Sequence, residues 1–194
     1  MPKTVDPAQR RADFIAAGWN VIAEQGFSAV TLRRVAAEAG CTTGALTHYF
    51  SDRHALLVET LRAAHRAAGG RMRTVAAQAK TDYQRLHAVL LEALPLDEER
   101  LREWKVWLAF WSAAMSEASL ARENARRYAE WRSVVCELLD PQSASASEEA
   151  ELLLALVDGL GLQITRHALE GKKLARMQAD CTATLERALK PYQP

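Results

Sequence analysis

The chain lacks several features that would assign it to other classes of protein. Cysteine is scarce, and Cys41, Cys136 and Cys181 lie far apart, which excludes a disulfide framework and a C-x-x-C pair. The first residues, MPKTVDPAQRR, contain no apolar segment, so we expect no secretory signal. No run of about 18 apolar residues is present, so we expect no membrane span. These absences predict a cytoplasmic protein with reduced thiols.

Catalytic and cofactor motifs are also missing. The chain has no glycine-rich phosphate loop, no G-x-S-x-G and no H-E-x-x-H, and His48 and His54 are spaced too far apart on a helix to hold a metal together. We therefore expect no catalytic residue, no metal and no cofactor. The 25 basic and 24 acidic side chains give a net charge of +1, so any binding of nucleic acid must come from a local site.

Nearly the whole sequence has the pattern of α-helices. Long β-branched alternations are absent, and Ala, Leu, Glu and Arg dominate. Stop signals such as Gly26, Gly40 and Gly171 separate about nine helices, so the predicted fold class is all-α. Gly69 and Gly70 predict a kink or a break in the fourth helix. Helix starts are predicted at the cap residues Asp6, Thr31, Thr42, Ser51, Thr81, Asp97, Ser119 and Ser145, the last forming a capping box with Glu148.

The segment from Thr31 to Phe50, TLRRVAAEAGCTTGALTHYF, carries the clearest functional signal. Two short helices joined around a glycine form the helix-turn-helix unit of many DNA-binding proteins. Ala36 is small where the second helix must cross closely, and Gly40 can take a positive φ where the chain reverses. Leu46 is spaced to pack back onto the first helix. This spacing predicts a three-helix DNA-binding head at the N-terminus.

The outward face of this unit suits DNA. Thr42 and Thr43 lie at a helix N-terminus, which attracts phosphate. Gly44 and Ala45 are small, so the helix can approach base edges, and Ala45 can meet a thymine methyl group. The alternative is an ordinary helical hairpin with a polar face. The predicted DNA-binding residues are Thr31, Arg33, Thr42, Thr43, Gly44, Ala45, Thr47, His48, Tyr49 and Arg53.

This head resembles that of the tetracycline-repressor (TetR) family, whose pattern reads roughly T-x-x-x-I-A-x-x-A-G-x-[ST]-x-G-x-x-Y-x-[YH]-F-x-x-K-x-x-L. The matching residues are Thr31, Ala36, Ala39, Gly40, Thr42, Gly44, Tyr49, Phe50 and Leu56. Val35 replaces isoleucine, Thr47 stands where an aromatic residue is common, and Arg53 replaces the usual lysine. The resemblance implies a ligand-responsive repressor, with a head at residues 1–51 and a ligand-sensing, dimerising body at residues 52–194.

The body is similar to the choline-sensing, BetI-like branch of that family in KVWLAFWSAAM and LVDGLGL. Trp104, Trp107, Phe110 and Trp111 lie on one side of helix six, either as a core stripe or as an aromatic wall for a ligand. Asp158 lies in an apolar helix, where it pairs either with an internal cation or cap or with a ligand cation. The predicted effector is a small organic cation such as choline, with a neutral apolar molecule as the alternative.

Helices eight and nine are apolar on more than one face, which predicts contact with a second subunit. The homodimer would read a palindromic double-stranded operator, with its two recognition helices about 34 Å or a small multiple apart. An enzyme and a helical protein–protein adaptor are the competing classes, and neither explains the spacing around Gly40. The predicted dimer-interface residues are Leu153, Leu156, Leu160, Ile164, Met177 and Leu185.

Overall fold

The structure is a computed structural model that describes residues 6–139 and 144–193. These ranges hold nine α-helices and two short 3-10 turns and no β-strand, which agrees with the all-α prediction. The helices are α1 Pro7–Gln25, α2 Leu32–Glu38, α3 Thr43–Thr47, α4 Arg53–Gln78, α5 Asp82–Glu92, α6 Glu98–Ala114, α7 Ala118–Leu138, α8 Ala146–Leu169 and α9 Leu174–Leu189.

The described residues form two compact units. Unit 1 takes residues 6–66 and Lys105–Asn124, and unit 2 takes Ala67–Trp104, 125–139 and 144–193. Three helices, α4, α6 and α7, therefore contribute to both units. The predicted functional boundary between residues 51 and 52 stays a prediction, because the compactness of a unit does not say which residues bind DNA.

Each unit has its own apolar core. In unit 1, side chains of α1 to α4 pack with the second half of α6, and the fully buried residues include Phe14, Leu46, Phe50, Leu57 and Phe110. In unit 2, α8 and α9 pack together with α5 and α7, and the buried residues include Leu90, Val135, Leu154, Ile164 and Leu185. Burial of such side chains is the main favourable term for each unit.

Most predicted helix starts are confirmed, and three are wrong in detail. The amide of Ala55 donates to the Asp52 carboxylate at 2.7 Å, so Asp52 caps α4 where Ser51 was expected. Helix α7 begins at Ala118, before Ser119. The Ser145 hydroxyl donates to the Glu149 side chain, so the expected box with Glu148 is not formed.

Helix α4 runs unbroken from Arg53 to Gln78, through Gly69 and Gly70. Of the two predicted alternatives, the break is wrong and the kink stays a prediction. A glycine in a helix interior costs only about 1 kcal/mol relative to alanine, which the surrounding helix can tolerate.

Helix α8 is the one helix in the described ranges that is long and apolar enough to cross a membrane by length and composition. Its apolar residues are interrupted by charged side chains such as Asp158 and Arg166, so no uninterrupted apolar run is present in its sequence. A core helix passes the same test, and one side of α8 is buried among Leu153, Leu154, Val157 and Ile164 in unit 2.

Candidate DNA-recognition surface and effector site

The turn between α2 and α3 is built as the spacing predicts. Gly40 has φ of 65°, which a glycine adopts without strain. The Thr42 hydroxyl accepts a hydrogen bond from the Ala45 amide at 3.2 Å and so caps α3. Leu46 is fully buried in the same apolar cluster as Val35 and Ala36. The buried side of α3 is thereby fixed, and its opposite side faces outward.

The predicted recognition residues divide into two groups. Ala45 and Tyr49 are half-buried and pack against the core of unit 1, and the Tyr49 ring lies 5.6 Å from that of Phe14. The Thr47 hydroxyl donates to the Gly44 carbonyl at 2.9 Å. The exposed members of the predicted set are Thr31, Arg33, Thr42, Thr43, Gly44, Thr47 and His48.

Arg53 has an internal role that its sequence position did not suggest. Its guanidinium donates to the carbonyls of Val30 and Phe27 at 2.7 and 3.0 Å and lies over the Phe27 ring at 4.7 Å. Glu117 pairs with it at 3.9 Å. These contacts tie the start of α4 to the segment before α2. The predicted phosphate contact stays a prediction, and Nε and Nη2 of this side chain each donate one hydrogen bond inside the protein.

Two arginines of α1 were missed by the sequence analysis. Arg11 donates to the Tyr49 carbonyl at 2.9 Å and lies over the Phe50 ring at 4.6 Å, so it holds the end of α3. Arg10 lies beside Cys41 and lines an open cleft next to α3. The adjacent basic pair at positions 10 and 11 was the available signal. The cleft is lined by Arg10, Cys41, Thr42, Ala45, His48 and Tyr49.

The predicted aromatic wall is divided between the two units. In unit 1, Phe110 is 1% exposed and packs edge-on against Phe27 at 5.6 Å, so its ring belongs to the core. Trp107 is half-buried against the same core, and Trp111 is half-buried. Phe110 is therefore a core residue, which was the first of the two alternatives. A role of Trp107 and Trp111 in ligand binding stays a prediction.

Trp104 lies in unit 2, where it packs on a glycine. Its indole N–H donates to the Ala93 carbonyl at 2.8 Å. A Cβ atom placed on Gly161 would lie 2.1 Å from Cζ2 and 2.2 Å from Cη2 of the indole, so the ring rests directly on the α8 backbone. Asp158 precedes Gly161 by three residues and lies on the same face of α8. This arrangement places a carboxylate one helical turn from the tryptophan contact.

Asp158 is partly buried and bound by a tyrosine. The Tyr128 hydroxyl donates to Asp158 Oδ2 at 2.9 Å. Burial raises the pKa of Asp158, and the hydrogen bond from Tyr128 opposes that rise. Burial and the neighbouring Asp158 carboxylate also raise the pKa of Tyr128, so its phenol stays a neutral donor. Within the described ranges, no arginine, lysine or histidine pairs with Asp158.

Next to Trp104, a network of charged side chains joins α4, α5 and α6 within unit 2. Arg71 donates to Glu103 at 2.7 Å and to Glu92 at 2.8 Å. Glu103 is only 5% exposed, and Arg100 also pairs with Glu92 at 3.2 Å. A buried carboxylate is tolerated when a cation and hydrogen bonds compensate it. The charge of Glu103 is thus compensated inside the protein, in contrast to that of Asp158.

The residues predicted for the dimer interface are mostly internal. The buried members of this set, within the core of unit 2, are Leu153, Leu160, Ile164 and Leu185. They pack among the unit's own helices, and their part in a dimer interface stays a prediction. Leu156 and Met177 are half-buried and stay candidates. The exposed large apolar residues of α8 are Leu152, Leu162 and Leu169.

Comparison with known families agrees with this geometry. The profile for bacterial regulatory proteins of the tetR family matches residues 14–60, which hold the helix-turn-helix. The profile for the C-terminal domain of BetI-type transcriptional repressors matches residues 82–190, more than half of the chain. The chain belongs to the TetR family. Its members are transcriptional regulators, so this TetR-family protein is a DNA-binding repressor and not an enzyme.

Individual TetR-family relatives extend over most of the chain. BetI of Burkholderia thailandensis is 40% identical over 180 residues, which are 88% of each protein. PksA of Bacillus subtilis is 34% identical over 167 residues, which are 84% of this chain and 82% of PksA. The family, the BetI-like body and the regulatory function predicted from the sequence are therefore confirmed.

Solved structures of transcriptional regulators share the fold of this chain. A transcriptional regulator from Rhodococcus sp. Rha1 has a TM-score of 0.81 and 28% identity, covering 93% of this chain and 96% of that one. A regulator from Saccharomonospora viridis, solved in complex with choline, has a TM-score of 0.80 and 22% identity, covering 92% and 96%. At that identity, the second likeness concerns the fold.

Proposed function

We propose that this repressor binds a palindromic operator as a homodimer through α3 and releases it when a small organic cation, such as choline, occupies the body. A double-stranded DNA operator is reached in the bacterial cytoplasm, so we place the protein there, away from the membrane. The observation that carries the effector part is Asp158, a partly buried carboxylate without a cationic partner in the described residues. Burying a charged carboxylate costs free energy, and a bound cation offsets that cost by pairing with it.

The DNA part of the proposal rests on α3. Its buried side is fixed by Leu46, so Thr43, Gly44, Thr47 and His48 are left exposed together on its other side. Short polar side chains and a glycine let a helix approach base edges in the major groove. The exposed Arg33 on α2 adds a cation for the phosphate backbone.

Thr43→Glu tests this surface because residue 43 is exposed and its replacement leaves the core unchanged. A carboxylate facing phosphates should lower affinity for the protein's own promoter about 100-fold, equivalent to about 2.7 kcal/mol. Fluorescence anisotropy with labelled promoter DNA measures the effect. Ser112→Glu, an exposed position of α6, is the control and should bind normally. Unchanged affinity of Thr43→Glu would assign DNA binding elsewhere. Ala45→Glu is a poorer test, because Ala45 packs against the core.

The homodimer part rests on the outer side of α8. Leu152 is 72% exposed and Leu162 is 48% exposed, and Ala155 and Gly159 lie between them at helical spacing. Such an apolar strip along a helix whose other side is already buried is what a two-fold interface between identical subunits covers. Two joined heads can then read the two halves of a palindrome.

Sedimentation velocity tests the dimer. The parent protein should sediment as a dimer at micromolar concentration, and a Leu152→Glu, Leu162→Glu double variant should sediment as a monomer, because paired carboxylates would be buried without partners. Val134→Glu, at an exposed apolar position of α7, is the control. A monomeric parent protein would contradict the proposal.

The effector part rests on the chemistry of unit 2. Asp158 supplies negative charge, Tyr128 and Trp104 supply aromatic rings, and this combination is typical of sites for quaternary ammonium ions. The choline complex of the Saccharomonospora viridis regulator, which shares the fold, supports the same ligand class. A neutral apolar effector could contact the aromatic rings of Tyr128 and Trp104, but it would not pair with the carboxylate of Asp158.

Calorimetric titration with choline and with 3,3-dimethylbutan-1-ol, its uncharged carbon analogue, separates these two effectors. We expect choline to bind at least about tenfold more tightly, a difference of about 1.4 kcal/mol. Asp158→Asn should abolish that preference, and choline should release the promoter DNA from the parent protein only. Equal affinity for the two compounds would favour the neutral effector.

A further inference from the structure

We propose that Tyr128 determines the specificity of the cation site, by making it favour fully alkylated ammonium ions over protonated amines of the same shape. The inference rests on the proposed function, since it concerns the same carboxylate. It goes further in assigning a role to a residue of α7 that the sequence analysis did not single out. The juxtaposition that carries it is the hydrogen bond between Tyr128 Oη and Asp158 Oδ2 at 2.9 Å.

Tyr128 is the one hydrogen-bond donor to the Asp158 side chain within residues 6–139 and 144–193. The indole N–H of Trp104, also in unit 2, donates to the carbonyl of Ala93. Tyr128 is held in place because its ring packs against the apolar cluster of unit 2. The hydroxyl is therefore positioned on the carboxylate by the fold itself.

The two classes of cation place different demands on a buried carboxylate. An ionised carboxylate only accepts hydrogen bonds, and a buried acceptor without a donor is costly. A protonated amine brings its own N–H donor to the oxygen. A quaternary ammonium ion has no N–H, so it contributes charge but no hydrogen bond. Binding of the quaternary ion therefore depends on a donor supplied by the protein, and Tyr128 is that donor.

Glu151 is the last of the causes, after burial and Asp158, that raise the pKa of Tyr128, and its own charge is paired with Arg132 at 3.0 Å. The negative charge of Asp158 attracts both classes of cation and cannot separate them. Discrimination between cations of one charge and one shape requires a directional group. The hydroxyl of Tyr128 is directional, whereas the charges of Asp158 and Glu151 are not.

The test compares choline with N,N-dimethylethanolamine, which is protonated at pH 7 and differs from choline by one methyl group. Both are titrated calorimetrically into the full-length protein and into Tyr128→Phe. In the variant, choline affinity should fall about tenfold and the affinity of the amine less than about threefold, so the ratio shifts toward the amine. Tyr83→Phe is the control, because that hydroxyl is bound to Gln193 in the same unit, and its ratio should not change.

Three outcomes would overturn the proposal. An equal loss of affinity for both compounds would mean that Tyr128 only supports the structure, and unchanged affinities for both would mean that another group selects the cation. Either result leaves the cation-binding function standing. If the parent protein binds neither compound, the proposed effector class fails together with this inference.

A second measurement avoids dependence on the folding of Tyr128→Phe. The parent protein alone is titrated with tetramethylammonium and with trimethylammonium ions. Tighter binding of the tetramethyl ion supports the proposal, whereas tighter binding of the trimethyl ion, which brings its own N–H, contradicts it.

Discussion

Unit 1 keeps the charged and polar groups of its site at the surface, whereas unit 2 buries them. Arg33 and His48 are exposed beside α3. In unit 2, Glu103 is buried against Arg71, and Asp158 is partly buried against Tyr128. Exposed groups can follow a long, uniformly charged polymer, and their attraction to it weakens as salt is added. Buried groups suit a small ligand, because their charges are screened little and their geometry is fixed.

The contrast teaches that burial alone does not mark a site. Glu103 and Asp158 are carboxylates of the same unit, but Glu103 has a guanidinium at 2.7 Å and Asp158 has only a neutral hydroxyl. The first is compensated within the protein, and the second lacks such a cation, which is the basis of the proposed effector site. Four predictions test this contrast, in order of decreasing effect.

The largest effect is expected from Arg71→Met. The substitution removes the guanidinium that pairs with the buried Glu103 carboxylate. We expect this removal to lower the free energy of unfolding by about 3 kcal/mol. An Arg71→Met, Glu103→Met double variant should regain much of that loss, because the buried carboxylate is removed together with its partner and Glu92 keeps its pairing with Arg100. Urea unfolding measures both. If Arg71→Met costs less than about 1 kcal/mol, unit 2 does not depend on compensated burial.

Gly161→Ala is expected to cost about 2 kcal/mol, because the added methyl group overlaps the Trp104 ring and one of them must shift. The displaced indole should also change the tryptophan emission and weaken choline binding. Gly70→Ala, inside α4 of the same unit, is the control, since its added Cβ meets only the end of the Arg73 side chain, at 4.0 Å. Normal choline binding by Gly161→Ala would separate Trp104 from the effector site.

In unit 1, an arginine with internal hydrogen bonds can be compared with an exposed one. Arg53→Ala should lower the free energy of unfolding by about 1.5 kcal/mol, because it removes the hydrogen bonds to Val30 and Phe27. Arg33→Ala should change stability by less than about 0.5 kcal/mol. In promoter binding the order reverses: Arg33→Ala should reduce the slope of log affinity against log salt by about 1 for each lost phosphate contact. If Arg53→Ala also reduces the slope of log affinity against log salt, that result would support the predicted contact of Arg53 with DNA.

The smallest effect is the pH dependence of Asp158. Burial raises the pKa of Asp158 in the folded protein above its value in the unfolded chain. At a pH between these two pKa values, the folded state therefore holds a proton that the unfolded state has lost. The contribution of Asp158 to stability is therefore present below its unfolded pKa and is lost as the pH rises through its folded pKa. The stability of Asp158→Asn relative to the parent should improve as the pH rises across this range. Choline affinity of the parent should fall as the pH is lowered through the same range, and a flat profile would contradict the role of the carboxylate.

The features that sequence could predict are those set by neighbouring residues. Gly40 ends α2 with a positive φ, Thr31 and Thr42 cap α2 and α3, and Leu46 packs inward, all within 16 residues of chain. Local spacing is enough to specify this geometry, because each contact lies within one or two helical turns. The geometry of the helix-turn-helix could therefore be predicted almost residue by residue, whereas its contacts with DNA stay a prediction.

The features that sequence could not predict depend on contacts distant in the chain. Arg53 bonds carbonyls 23 and 26 residues away, and Tyr128 is 30 residues from Asp158, so no spacing rule joins them. For α8, periodicity indicates apolar residues on several sides but does not say which side faces inward. The structure shows that the buried side of α8 holds Leu153, Leu160 and Ile164, and that its exposed side holds Leu152 and Leu162.

The contact between Trp104 and Gly161 has a consequence for the diversity of related repressors. Because a single methyl group on residue 161 would occupy the volume of the indole, the two positions cannot vary independently. A relative with alanine or a larger residue at the position of Gly161 should carry a smaller side chain at that of Trp104. Such a relative would have exchanged an aromatic surface for an aliphatic one, and its effector should differ in charge or size accordingly. Paired substitution at these two positions is thus a marker by which relatives that sense different molecules can be sorted before any ligand is tested.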